Sequence, residues 1–412
     1  MKILLTHNTY QDRGGEDVVC VQERELLESA GHEVVEYQRH NSEIRTYSTL
    51  RKISLLGRTV WAGDSRKEFA GLLRQSRPDV VHIHNTFPLI SPSIYWACRE
   101  ERVPVVQTLH NYRLFCPGAN FSRDGRTCED CIGGSFWKGV QHGCYRNSRV
   151  QTAPVALMLY VHHARKTWHR MVDCYIALTG FARNKFIQAG LPADKIVIKP
   201  NCVDPDPGMK SGTGSYALCV GRVSQEKGVP TLIEAWRQIP QKYPLRIIGD
   251  GPARAQLEAE CKAQGLSHIS FLGHQPRERV IEAMKQARLV VFPSELYENL
   301  PLTIIEAFAC GTPVLASRLG AMPEIVEEGR TGWLFTAGSA DDLARATQCA
   351  WEQTQSLRTL GEQARQEFEA RYTAEANLQQ LTQIYQNVIE RRSASLERFR
   401  IPLRVPEEVP PA

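Results

Sequence analysis

Short apolar runs alternate with amphipathic stretches along the first two hundred residues. Lys2–His7, Glu33–Tyr37, Asp79–His84, Val103–His110, Cys174–Leu178 and Lys195–Lys199 read as strands, and Glu16–Ala30, Arg66–Gln75 and Ser91–Glu101 carry helical spacing between them. Strand–helix alternation of this kind predicts a parallel, doubly wound α/β sheet. The pattern then restarts. Tyr216–Val220, Leu245–Ile248, Ile269–Leu272, Leu289–Phe292, Pro313–Ala316 and Gly332–Phe335 are a second set of strands, with helices at Val229–Ile239, Ala253–Gln264, Arg277–Ala287, Leu302–Ala309 and Pro323–Glu328.

These repeats divide the chain into a first domain over residues 1–200, a linker over 201–215 marked by Pro205, Pro207, Gly208, Gly212 and Gly214, and a second domain over 216–372. Within the first, residues 113–148 have no periodicity and form an insert. A helix over 373–392 is expected to return to the first domain, and 393–412 is read as a Pro-rich tail, disordered or laid on the surface.

Length agrees with two domains, because 412 residues exceed what one core fills. No apolar run reaches about 18 residues, the length that spans a membrane. The chain opens on a core strand rather than a signal-peptide pattern, so it is read as cytoplasmic. Most of its 12 cysteines would then be reduced. Charge is uneven: residues 1–199 hold 27 Lys and Arg against 19 Asp and Glu, and the rest hold 23 against 26. A basic first half would attract an anionic surface, such as the inner face of a membrane, or a phosphorylated acceptor; it is equally read as a solvated basic face. Nucleic acid is excluded as a partner, since no dense basic run is interleaved with aromatics.

The candidate chemistry lies between Tyr216 and Phe335. The first strand of the second set ends in Gly221-Arg222, followed by Glu226-Lys227-Gly228. Arg222 and Lys227 thus sit at the carboxyl end of a strand, where α/β sheets bind ligands, and two fixed cations there suit a departing diphosphate. Gly221 allows close backbone approach. Gly249-Asp250-Gly251-Pro252 turns into a helix N-terminus whose amides could face a nucleotide. Next come Glu298-Asn299-Leu300 in a loop and Glu306 on the following helix, two carboxylates aimed at one cleft and suited to sugar or ribose hydroxyls. Asn299 stands where backbone amides must face the ligand; Asn tolerates positive φ and caps helices.

These motifs, together with Gly311-Thr312-Pro313-Val314 and Pro323-Glu324, resemble the retaining family 4 of glycosyltransferases (glycosyl transferases group 1), whose signature is the Glu-(seven residues)-Glu pair. The resemblance implies a GT-B fold, two Rossmann-like domains around a central cleft. It implies that Arg222 and Lys227 bind the donor diphosphate, that Glu306 holds the ribose, and that Glu298 with the backbone of Asn299 and Leu300 meets the sugar. Asn299 stands where the family often has Gly. No cofactor is implied for catalysis: the leaving diphosphate takes the acceptor proton in a front-face exchange, so the protein supplies positioning and charge.

On the acceptor side, Gly14 and Gly15 open a helix and let an anion approach, as in the family's Gly-rich loop. His110 ends a strand facing the cleft, where the family often carries a His near the transferring sugar. His84 and Asn85, with Asn111, are candidates for the acceptor pocket. A helix about Gln151–Arg170 ends in a basic cluster and either rests on a membrane or is buried with that end exposed. In the insert, Cys116, Cys128, Cys131 and Cys144 fit a structural zinc site, with disulfides or free thiols as the alternative, and the insert is expected to roof the acceptor pocket.

The leading reading is transfer of a sugar from a nucleotide-diphosphate donor to a polysaccharide or lipid-linked oligosaccharide. A nucleotide-sugar epimerase, a phosphorylase of the same fold, and a non-catalytic zinc-stabilised sugar-binding protein are the alternatives.

Overall fold

A computed structural model describes residues 1–11 and 14–398. The first half contains β1 (Lys2–Thr9), β2 (Glu33–His40), β3 (Val80–Ile83) and β4 (Val105–Leu109). A short hairpin, β5 (Ser122–Arg123) and β6 (Arg126–Thr127), lies in the insert, followed by β7 (Cys174–Ala177) and β8 (Ile196–Ile198). The second half holds β9 (Tyr216–Val220), β10 (Leu245–Ile248), β11 (Ile269–Gly273), β12 (Ala287–Phe292), β13 (Val314–Ser317) and β14 (Gly332–Phe335). They form two six-stranded sheets, ordered β2-β1-β3-β4-β7-β8 and β11-β10-β9-β12-β13-β14, with every pairing in both parallel.

Parallel pairing follows from burial on both faces. Along β12, Val290 and Phe292 enter one apolar cluster while Leu289 and Val291 enter the other, and on β4 Val105 and Val106 divide in the same way. Strand order reverses between β1 and β3 in one sheet and between β9 and β12 in the other. Such switch points open a crevice at the carboxyl ends of the strands.

Several elements depart from the sequence pattern. The helix expected about Gln151–Arg170 is two, Arg149–Ala164 and Thr167–Arg170, broken at Lys166, whose φ is 53°. Thr49–Val60 is an additional helix. The last helix runs Ala374–Arg398, through the start of the expected tail; residues 399–412 of that tail lie outside the described residues. Among the described residues no helix is long and apolar enough to cross a membrane.

The last helix crosses back to the first sheet. Leu381, Tyr385 and Val388 pack with Ile3, Val80, Val106 and Ile176, and Asn377 Nδ2 donates to the Pro200 carbonyl at 2.8 Å. Leu381 is 1% exposed. Leu381→Ala is expected to cost about 3 kcal/mol of folding stability, as for other buried leucines; denaturant unfolding checks it.

Candidate active site

The two switch points face one another, and their loops enclose a cavity of about 370 Å³. From the first half come Gly15, Glu16 and His110. From the second come Gly221, Arg222 and Lys227 after β9, then Ser294, Glu298, Asn299 and Leu300 after β12. The β9 and β12 loops touch backbone to backbone: Gly228 has φ +69°, and a Cβ there would fall 1.9 Å from the Pro293 carbonyl oxygen. Gly249 answers a similar need, since its Cβ would lie 1.8 Å from the Gly221 oxygen. This corrects the sequence reading of Gly249 and Gly251, which pack the β10 loop against Gly221 and Val223 instead of lining the cavity.

Lys227 Nζ pairs with Glu298 Oε1 at 2.5 Å, and Ser294 Oγ donates to the same oxygen at 2.7 Å. Arg222 is exposed and has no ion pair or hydrogen bond among the described residues, so one cation on this wall is free. Glu306 lies outside the lining, one turn beyond Thr303 on helix Leu302–Ala309. Burial raises its pKa against the pull of Arg277, whose Nε is 3.4 Å away.

Asn299 differs from expectation. It is not among the residues of positive φ, and the cap of the next helix is Pro301. Its Nδ2 instead donates across the cleft to the His110 carbonyl at 2.6 Å, with the Leu109 carbonyl at 3.4 Å. A second bond set ties the halves: Glu324 accepts from the amides of Gly180 and Phe181 at 2.7 and 2.8 Å.

The acceptor-side readings need correction. His84 and Asn85 are buried, and with Asn111 they border a void of about 30 Å³, too small for a sugar, in place of the main cavity. Asn85 Nδ2 donates to the Asn8 carbonyl and its Oδ1 accepts from Phe87 N, so its capacity is spent joining strand ends. Asn111 Nδ2 donates to Glu16 Oε2 at 3.1 Å. Gly14 stands outside the cavity as the helix cap, its amide donating to Asp17 Oδ2 at 2.7 Å.

Glu16 is the residue that pattern reading passed over. It follows the paired glycines and lines the cavity; Tyr10 and Asn111 donate to Oε2, while buried Oε1 has no partner among the described residues. Burial pushes its carboxyl up to about 7 despite His7, Tyr10 and Asn111. At the adjacent Asp17 burial also acts upward, yet bonds from His7, Gly14 N and Tyr10 N hold its pKa below the usual value.

The insert reaches across to the second half. Its hairpin tip at Gly125 lies against Gln225, and Glu129 pairs with Lys185 at 2.6 Å. All 12 cysteines are free thiols. Cys131 is pushed up to about 12 by burial and by neighbouring Cys116, Cys144 and Cys128. The four sulfurs are gathered but not closed to ligand spacing. Among the described residues the one group of three His, Cys, Asp or Glu side chains with ligating atoms all within 4.8 Å is Glu23, His82 and His84. The four cysteines of the insert do not form such a group.

Two parallel sheets meeting at their switch points, with cations on one wall and a helix N-terminus on the other, define a two-domain α/β protein with a cleft between its sheets. Residues 13–207 match Glycosyltransferase Family 4 and residues 205–367 match Glycosyl transferases group 1. The chain belongs to this glycosyltransferase family and has the GT-B fold. An uncharacterized glycosyltransferase of Methanocaldococcus jannaschii is 28% identical over 216 residues, 52% of this chain and 60% of that one. The amylovoran biosynthesis glycosyltransferase AmsK of Erwinia amylovora is 30% identical over 176 residues, 39% of this chain and 43% of its own length. These matches thus span less than two thirds of either relative. The crystal structure of Anabaena HepE in complex with UDP superposes with a TM-score of 0.68 at 20% identity, covering 94% of this chain and 100% of that one.

Because the folded state holds the Glu16 proton more tightly than the unfolded chain does, its contribution to stability is present at low pH. That contribution is lost as pH rises from about 4.5 to about 7. Glu16→Gln is expected to raise the thermal midpoint relative to the native chain at pH 8 more than at pH 5, with the difference levelling above pH 8. Paired melting curves across this range check it.

Proposed function

We propose that the protein is a retaining glycosyltransferase that moves a sugar from a nucleotide-diphosphate donor to a saccharide acceptor. The observation that carries this reading is the convergence of Arg222, Lys227 and Glu298 with the Gly15 helix N-terminus on one cavity between two parallel sheets. The diphosphate lies against Arg222 and Lys227, which hold its charge as the glycosidic bond breaks. On arrival it takes Lys227 from Glu298, freeing that carboxylate to accept from a sugar hydroxyl. Glu306, on helix Leu302–Ala309, meets the ribose. The backbone of Asn299 and Leu300 lies beside the sugar, with Gly15 opposite. The UDP complex of HepE favours a uridine donor, and the amylovoran relative favours a polysaccharide acceptor.

We propose a cytoplasmic site of action at a membrane face. Helices Thr49–Val60 and Arg149–Ala164 pack together and leave Leu56, Val150, Leu157 and Tyr160 exposed, flanked by Arg51, Arg149 and Arg165. Apolar side chains bordered by arginines suit an anionic lipid surface carrying a lipid-linked acceptor.

UDP-, GDP- and ADP-sugars screened for thermal stabilisation should single out one donor. With it, Arg222→Ala and Lys227→Ala are each expected to lower nucleoside diphosphate release by on the order of 10²-fold. Proton NMR of the product should show the anomeric configuration of the donor; an inverted product would overturn the retaining reading. Anionic vesicles should co-sediment the protein, and Leu157→Glu with Tyr160→Glu should release it.

A further inference from the structure

Behind the cavity lies a buried polar chain that the proposed chemistry leaves unused. Glu23, on helix Gly15–Ser29, is 1% exposed, and Lys199, just past β8, is 0% exposed. Lys199 Nζ pairs with Glu23 Oε1 at 2.7 Å. The other oxygen, Oε2, lies 3.4 Å from His84 Nε2. Both atoms are buried and neither has a hydrogen-bond partner among the described residues, so one unpaired acceptor faces one unpaired nitrogen. On its other side His84 Nδ1 meets His110 Nε2 at 2.8 Å, with the two ring planes 17° apart. Among the described residues His110 lines the cavity, and its Nδ1 has no protein partner yet is not among the buried unpaired atoms.

A metal ion is the competing account of Glu23, His82 and His84, and the surroundings disfavour it. Lys199 already places a positive charge on Glu23. Both nitrogens of His82 are engaged, Nδ1 with the Tyr385 hydroxyl at 2.7 Å and Nε2 with Thr108 Oγ1 at 2.8 Å. A dication would have to displace Tyr385 and sit beside a buried ammonium.

The chain of partners has a direction. A carboxylate only accepts, so His84 presents N–H at Nε2. A neutral imidazole has one N–H, so His84 Nδ1 is bare and accepts from His110 Nε2–H. Burial holds both histidines well below their usual pKa, in agreement with neutral rings. We propose that Glu23 and His84 are positioning residues that fix His110 as the Nε2–H tautomer, so that its bare Nδ1 faces the cleft and accepts a hydrogen bond from a hydroxyl of the bound sugar. This rests on the reading of the cavity as a sugar-nucleotide site. It gives His110 the role of a neutral acceptor, which selects a hydroxyl in the ligand and neither supplies a proton nor carries charge.

The test is a long-range proton–nitrogen correlation spectrum of the full chain labelled with nitrogen-15 histidine, with His110 assigned by its loss in His110→Ala. The Nε2–H pattern is expected for His84 and His110. An Nδ1–H or doubly protonated His110 overturns the proposal, and this arm needs neither a variant of the relay nor turnover. Glu23→Gln should keep its amide oxygen on Lys199 and turn its NH2 towards His84. That reverses both tautomers, so His110 becomes an Nδ1–H donor; unchanged tautomers in a folded Glu23→Gln protein overturn the relay. With the donor found by thermal shift, nucleoside diphosphate release should fall about tenfold in Glu23→Gln, the size of one hydrogen bond. The double variant with His110→Ala should be no slower than His110→Ala alone. Multiplying losses would mark Glu23 as merely structural and sink the idea. Zinc binding by the native chain that is abolished in His84→Ala would replace the relay with a metal site. A native chain that turns over no donor would refute the enzymatic reading while leaving the tautomer result standing.

Discussion

The bond from Asn299 to the main-chain carbonyl of His110 fixes the relation between the two halves on which the site depends. Each sheet alone offers only a half-site at its switch point: cations and a carboxylate after β9 and β12, a helix N-terminus and a histidine after β1 and β4. Bringing these within reach of one ligand requires the carboxyl edges to face each other at a set distance. Asn299 ties the edges at the cavity, and Glu324 on the amides of Gly180 and Phe181 ties them a little farther out. Both bonds run to backbone, so they set the separation of the chain itself and do not depend on a long, flexible partner.

Around that joint the protein buries more charge and polarity than stability favours. A fully buried ammonium–carboxylate pair such as Lys199–Glu23 loses much of its attraction to desolvation. Its merit is geometric, since it leaves one carboxylate oxygen in a defined place beside His84. Glu16 shows the same economy at the rim: Tyr10 and Asn111 hold one oxygen, and the second is buried and unpaired among the described residues. Polar groups held in this way need no reorganisation when a charged ligand arrives, which is where fixed dipoles are most effective.

The insert illustrates a limit of composition. Four cysteines in one loop invite a metal, yet the segment is anchored by other means. Phe115, Cys116 and Phe121 join the main apolar cluster of the first half, and Glu129 pairs with Lys185. With its tip against Gln225, the insert borders the loop that carries Arg222 and Lys227.

By itself the sequence determined the α/β class, the repetition of strand and helix in two sets, and the wall that carries Arg222, Lys227 and Glu298. Those features are local: a strand ending in Gly221-Arg222 puts the cation at a strand end whatever surrounds it, and Glu298 and Glu306 are joined by one loop and one helical turn. Tertiary structure alone decided which polar groups beyond the strand ends reach a ligand. His84 and Asn85 look like pocket residues until Glu23, from a helix sixty residues earlier, and Asn8, from β1, claim them. Asn299 looks like a residue chosen for its own backbone until its amide is seen to cross the cleft. Side-chain direction past a strand end is set by what packs against it, and those partners come from segments far apart in the chain, which periodicity and spacing do not encode.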